Sequence, residues 1–204
     1  MTALFVATLL ACTPKVADSG SSDTGGDAPS VPPKDTSEPP DIIDEIDGSS
    51  LPAGVSPCRE PVKGEVVEVT DGDTIRVKTG RGVERVRLIG IDTPEVDHSG
   101  PDDECFGEEA KAFLTAMIED KRVWLTFDAE CKDGYDRTLA YVHRGLETND
   151  FAQRLLLRGG WATAYAVSPN VSLRDLFEAD EAAARDASEG LWASARDALA
   201  AQHE

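Results

Sequence analysis

Glu65-Val66-Val67-Glu68-Val69-Thr70-Asp71-Gly72-Asp73-Thr74-Ile75-Arg76-Val77-Lys78 sets two short β-branched segments on either side of a polar Thr70–Asp73 break, the pattern of an antiparallel hairpin. Asp71-Gly72 is itself a hairpin signal, because a primed turn needs a positive φ that glycine adopts without strain. Outward from this pair, residues 84–91 make a third strand after the Gly80-Arg81-Gly82 turn. Residues 107–118 have helical spacing with acids in the first turn, which suits the positive end of a helix. Two more strands are expected at 122–127 and 138–143, helices near 149–157 and 172–187, and an Ala-rich end running to Glu204. Three strands, a helix, two strands and then helices is the order of an α+β fold, a five-stranded barrel with three packed helices.

The chain has 204 residues and a net charge of −19, from 39 acidic and 20 basic side chains. With 40% apolar residues it can bury a core, and no apolar run approaches the ~18 residues of a spanning helix. The charge argues against coating nucleic acid by bulk electrostatics, which needs a cationic surface. Yet the acidity is uneven. Residues 13–57 hold nine acids, two bases, eight of the twelve prolines and no aromatic residue. Such a stretch buries too little surface to offset its ordering entropy, so 13–57 is expected to be a disordered, self-repelling tether. Its one apolar interruption, Ile42-Ile43-Asp44-Glu45-Ile46, is assigned to the solvated linker. By contrast, Arg76, Lys78, Arg81, Arg85 and Arg87 stand against Glu84 alone between 76 and 87, on strands expected to face substrate.

Residues 2–11 are uncharged and largely apolar and end at Cys12, too short to span a bilayer and about the length of a signal-peptide core. Leu9-Leu10-Ala11-Cys12 resembles the lipobox of bacterial lipoproteins, although no Lys or Arg precedes it. The resemblance implies cleavage before Cys12, its diacylation, and a lipid anchor in a bacterial membrane or cell surface. More than one acyl chain makes such an anchor stable. The expected divisions are 1–12 signal, 13–57 linker and 58–204 folded domain.

Export also frames Cys58, Cys105 and Cys131, which show neither C-x-x-C nor zinc spacing. Cys105 precedes a predicted helix and Cys131 follows a predicted strand, so these two are the candidate disulfide. Closing that loop would restrict the unfolded chain by roughly 3–4 kcal/mol. The alternative is three free thiols, which an oxidising compartment disfavours.

The chemistry gathers at strand ends. Asp73 emerges beside the first turn, and Asp92-Thr93-Pro94-Glu95 ends the third strand. Asp73, Asp92 and the Thr93 carbonyl are hard oxygen donors suited to Ca²⁺ or Mg²⁺. Arg87 lies five residues before Asp92, which in a regular strand puts them on opposite faces. A bulge at Gly90 would restore a common face. Arg137 follows the Asp133-Gly134-Tyr135-Asp136 turn.

Three blocks, 69–75, 87–95 and 133–142, resemble in order the signatures of the staphylococcal nuclease (thermonuclease) family. The spacings of fourteen from Asp73 to Arg87 and five on to Asp92 agree. Gly160-Trp161-Ala162-Thr163-Ala164-Tyr165 and Gly190-Leu191-Trp192 are similar to its C-terminal pattern, so the resemblance covers about 62–192. It implies an OB-type barrel and a Ca²⁺-dependent phosphodiesterase, a hydrolase of the micrococcal endonuclease type that cleaves DNA and/or RNA to 3′-phosphates, acting as a monomer. Carried over residue by residue, it implies Ca²⁺ on Asp73, Asp92 and Thr93, with Asp71 in support. Glu95 would be the general base, Arg87 and Arg137 the phosphate clamp, Tyr135 a hydrogen-bond donor to phosphate and Tyr165 a side chain that stacks on or borders a base.

Departures are visible too. Asp136 stands where the family often has Gly, Gly134 where its founding member has a phosphate-facing Lys, and Val167 in place of a second pocket tyrosine. These changes imply a raised KM and strong salt dependence. The acidic loop 96–104 is assigned to solvent, and His98, His143 and His203 receive no role. Two rival readings are a non-catalytic OB-fold module that binds nucleic acid and a Ca²⁺-binding surface module.

Overall fold

In the computed structural model of the chain, the described residues are 42–96, 106–147 and 150–193. The residues for the signal, Cys12, most of the linker, Cys105, His98, His203 and nearly all of the acidic loop lie outside them. The elements are β1 (Val62–Val69), β2 (Thr74–Thr79), β3 (Gly82–Leu88), β4 (Gly90–Asp92), α1 (Gly107–Ile118), β5 (Arg122–Thr126), β6 (Thr138–His143), α2 (Ala152–Arg158), β7 (Thr163–Tyr165) and α3 (Arg174–Ala187). Five strands close into a barrel in the order β1-β2-β3-β6-β5, and β4 pairs with β7 outside it. With three helices against it, this is the expected OB-type architecture.

Alternation explains the barrel. Ile75 and Val77 of β2 and Val86 and Leu88 of β3 point inward and are fully buried, while Arg76, Lys78 and Arg85 are exposed. β6 is buried along its whole length. Part of its outer cover is α2, whose Gln153 side chain accepts from Val142 N (3.1 Å) and donates to Ala140 O (3.1 Å). Tyr141, Phe151 and Phe177 meet edge-on, with centroids 5.6 to 6.0 Å apart, an arrangement that adds to area burial. The closing pair, β3 with β6, is parallel and matches Arg87 with Leu139. That register lays the Arg87 end of β3 beside the chain that carries Arg137.

Two local expectations change. Gly72 is not among the positive-φ glycines, so Thr70–Asp73 is not a primed turn. Thr70 N and Asp71 N both donate to Thr74 O, at 2.9 and 3.2 Å. Glycine is required at 72 for space, because a Cβ would stand 2.7 Å from Thr93 Oγ1 and 2.9 Å from Ala110 Cβ. Gly90 does not make a bulge in one long strand. With φ +85° it turns the chain out of the barrel, and β4 then pairs with β7. The Phe177 ring packs against this corner and leaves no room for a side chain.

The folded part starts earlier than Cys58. Residues 42–57 do not behave as solvated linker: Ile43, Ile46 and Leu51 are buried and pack with Trp124, whose indole N–H donates to Ile43 O at 3.2 Å. Asp44 pairs with Lys63 (2.8 Å) and Arg122 (2.5 Å). The isoleucines supply to the barrel wall the apolar face that the polar composition around them concealed.

The disulfide also differs from expectation. Cys131 pairs with Cys58, across a sequence separation of 73, and not with Cys105. Cys58 N donates to Asp128 O at 2.7 Å, which brings the end of the strap formed by residues 42–57 to the loop after β5. The buried His143, at the end of β6, completes the attachment. Thr126 Oγ1 donates to Pro52 O at 2.6 Å, so it accepts from His143 Nε2 at 3.0 Å, and the ring carries its proton on Nε2.

Two outcomes are expected. Non-reducing peptide mapping joins Cys58 to Cys131, and Cys131→Ser lowers the unfolding free energy by about 4 kcal/mol, the chain-entropy limit for a loop of this length. Burial pushes the His143 imidazole down to about 3, whereas in the unfolded chain it titrates near 6.5. Between those values the unfolded state holds the extra proton, so this group costs stability as pH falls below about 6.5 and is neutral above it. Denaturant titrations of His143→Gln from pH 6.5 to 4.5 should show a decline shallower than wild type by roughly 1.4 kcal/mol per pH unit.

Candidate active site

The Thr70–Asp73 loop places a carboxylate inside the protein. Asp71 Oδ1 accepts from Asp73 N at 3.2 Å, curling the loop on itself. Asp73 is 3% exposed; its carboxylate accepts from Thr74 Oγ1 (3.1 Å) and Thr93 N (3.3 Å) and forms an ion pair with Arg87. Burial pushes this carboxyl up to about 7, with Asp71 adding to the rise, although Arg87 pulls the other way. An ionised Asp73 is therefore short of positive charge even beside its guanidinium.

Arg87 serves two acids. One terminal nitrogen meets Asp73 and the other meets Asp92 Oδ1 at 2.7 Å. The corner at Gly90 lets this happen, since it returns Asp92 to the side that Arg87 faces. The Asp92 side chain is half exposed, so the pair of acids has one wall in protein and one toward solvent. Thr93 is buried, and Glu95 beyond Pro94 is exposed. The start of α1 holds this segment, because a Cβ at Gly107 would stand 2.7 Å from Glu95 O.

Arg137 is presented differently. Asp133 Oδ2 accepts from its Nε at 2.7 Å, and Asp133 Oδ1 accepts from Arg137 N and Tyr135 N, each at 2.9 Å. One carboxylate thereby orients the guanidinium and shapes the turn that carries it. Those contacts hold the Asp133 carboxyl below the usual carboxylate range against its desolvation. A cleft of about 340 Å³ opens between the arginines, lined among others by Arg87, Asp133, Gly134, Arg137, Tyr165 and Val167. Tyr165 reaches it because β7 pairs Tyr165 with Gly90. Tyr135 is 82% exposed and lies under the Arg137 guanidinium, 5.6 Å from its ring centre, not in the lining.

Asp136 occupies a position with φ +61°, which glycine would take freely and Asp tolerates. Its side chain is exposed and paired with Lys132 at 3.1 Å. Sequence reasoning did not identify Asp133, for which the i,i+4 spacing to Arg137 was an available signal. It also missed the buried Asn170, which accepts from Glu130 N (2.8 Å) and donates to Glu130 O (3.0 Å), pinning the same loop.

Among the described residues no three His, Cys, Asp or Glu side chains converge as a metal centre. The set implied by the resemblance asks for less: two carboxylates and a main-chain carbonyl. Asp73 and Asp92 both reach one guanidinium, Thr93 adjoins Asp73, and the donors are all hard oxygen. That chemistry fits Ca²⁺, which accepts irregular oxygen shells completed by water.

The family model described as staphylococcal nuclease homologue matches residues 85–194. The thermonuclease of Staphylococcus intermedius is 38% identical over 134 residues, 64% of this chain and 78% of that one. The thermonuclease of Staphylococcus hyicus is 33% identical over 142 residues, 70% and 82% of the two chains. Endonuclease Htp3 of Saprolegnia parasitica is 35% identical over 161 residues, 70% and 75%. The family-model match takes in the end of β3 with Arg87, then Asp92, the Arg137 loop and the helices, and with the barrel and cleft in place the chain belongs to the staphylococcal nuclease family.

Proposed function

We propose that the protein is a Ca²⁺-dependent nuclease that hydrolyses phosphodiester bonds of DNA and/or RNA in the cleft between Arg87 and Arg137. The observation that carries the reading is one cleft lined by two arginines, each oriented by a carboxylate, with the acidic pair Asp73 and Asp92 on the Arg87 guanidinium. Planar guanidinium groups suit phosphate better than ammonium does. Relatives named thermonuclease and endonuclease support the same class of activity.

Asp73, Asp92 and the Thr93 carbonyl would hold the cation, with Asp71 supporting the loop. Bound there, Ca²⁺ supplies positive charge that polarises a phosphoryl oxygen. Glu95, exposed to solvent, takes the proton of a water that attacks phosphorus, a role typically contributing 10²–10⁴-fold; the bond from phosphorus to the leaving sugar oxygen breaks, and that oxygen departs with a proton from solvent. Arg137 enters from the loop side and meets the charge that builds on the phosphoryl oxygens. Arg87 does so from the barrel side while favouring the ionised form of Asp73. Tyr165 offers a face for a base beside the cleft, and Tyr135 a hydroxyl at its margin. The lipobox resemblance at Cys12 extends the proposal to a lipid-anchored, exported enzyme. The missing lysine at Gly134 and the added acid at Asp136 lead to a raised KM and strong salt dependence.

Incubating the full chain with DNA and RNA in Ca²⁺ or in chelator tests the reading. Cleavage in Ca²⁺ alone is expected, falling at least 10²-fold in Glu95→Gln and in Arg137→Ala with unchanged circular dichroism. Arg87→Ala is a less clean test, since it also strips a buried carboxylate of its cation. Wild-type rates in Glu95→Gln would refute the assignment. Binding without cleavage would favour the non-catalytic module.

Asp133→Asn should act through Arg137. It is a positioning residue, so kcat should fall about tenfold with KM changed less than threefold, measured by initial rates on a labelled oligonucleotide. A purely structural role would lower thermal stability and leave the kcat of the folded fraction intact.

A further inference from the structure

The outer face of the β2–β3 hairpin carries charge that the cleft does not use. Register pairs Arg76 with Arg85, Lys78 with Val83, and Thr74 with Arg87. Arg76, Lys78 and Arg85 therefore share one face with Arg87, and Arg81 stands at the tip. All four beyond Arg87 are exposed. Among the described residues Lys78, Arg81 and Arg85 make no ion pair, and Arg76 has only an exposed one with Glu68 at 3.4 Å, which is worth little.

Like charges directly opposite one another cost a sheet stability, and Arg76 opposite Arg85 is such a pair. The acid within the hairpin does not relieve it. Glu84 alternates to the other face of β3, where it is held by Arg59, Thr79 and Thr138. Glu65 and Glu68 on β1 register with Lys78 and Arg76, which makes that strand an acidic border and directs a polyanion onto β2 and β3. Outward side chains on one strand repeat about every 6.8 Å, a spacing comparable to that of successive phosphates along a nucleic-acid backbone.

We propose that this face is a track for the phosphodiester backbone of a polynucleotide, continuing from the Arg87 end of the cleft to Arg81. The ligand is then a chain of several nucleotides, recognised through phosphates without reading bases. The proposal takes its direction from the nuclease reading, but the track can be tested without cleavage.

The test measures fluorescence anisotropy of the full-length protein in chelator, with a labelled single-stranded DNA 12-mer and a labelled dinucleotide, at several salt concentrations. Wild type is compared with K78Q/R81Q/R85Q. In the variant the 12-mer should bind at least tenfold more weakly, and its salt slope should be shallower by about 2, from three lost phosphate contacts on a single strand. Dinucleotide affinity, which reports the cleft, should change less than twofold. Equal weakening of both ligands, or unchanged 12-mer affinity and slope, overturns the track. If the 12-mer loses affinity as expected but wild type cleaves nothing in Ca²⁺, the nuclease reading falls and the track stands.

Discussion

The ion pair of Arg87 with the buried Asp73 is the constraint around which the site is arranged. Removing a carboxylate from water costs several kcal/mol unless charge and hydrogen bonds replace the solvent. Asp73 draws its compensation from three places: the Thr74 hydroxyl, the Thr93 amide and the Arg87 guanidinium. Meeting that demand ties the start of β2 to the end of β3 and to the exit of β4. Gly72 and Gly90 follow from it, one yielding space to Thr93 and Ala110, the other turning the chain where Phe177 closes in. Burial raises the Asp73 carboxyl even so, against the pull of Arg87.

The second arginine rests on a different support. Arg137 sits on a loop, and loops keep catalytic geometry only when something stiff holds them. Here Asp133 grips the guanidinium and two backbone amides, the Asn170 side chain clasps Glu130, and the Cys58–Cys131 disulfide ties the loop to the strap at 42–57. The strap in turn is held by Arg122, Trp124 and Thr126. Chain far from the cleft in sequence thus contributes to the position of one of its two cations.

Net charge alone misrepresents such a protein. A chain at −19 should repel a polyanion, yet its acids are spent on particular partners: Asp73 and Asp92 on Arg87, Asp133 on Arg137, and Asp180 on Arg154 and Arg158. The hairpin from Arg76 to Arg87 remains locally cationic on one face. Screening confines such charges to about 10 Å at ordinary salt, so the local field at the cleft matters more than the total.

The sequence by itself determined most of the barrel and helix elements and the motifs that the structure gathers around Arg87 and Arg137. Period-two alternation marks β2 and β3, helical spacing with first-turn acids marks α1, and the motifs around Asp73, Arg87, Asp92 and Arg137 mark the site, because these signals are local. What needed tertiary structure is what depends on distant partners. Gly72 reads as a turn former until Thr93 and Ala110 stand against it, and Gly90 as a bulge until β7 claims β4. Ile43 and Ile46 read as linker because the wall that receives them lies some eighty residues on, at Trp124. Cys131 could be matched with Cys105 or Cys58 by any sequence argument, since pairing needs Cα atoms within several ångströms, and only the packed strap brings Cys58 to 5.7 Å. A one-dimensional pattern specifies which face a residue takes; what that face meets is decided when the barrel closes.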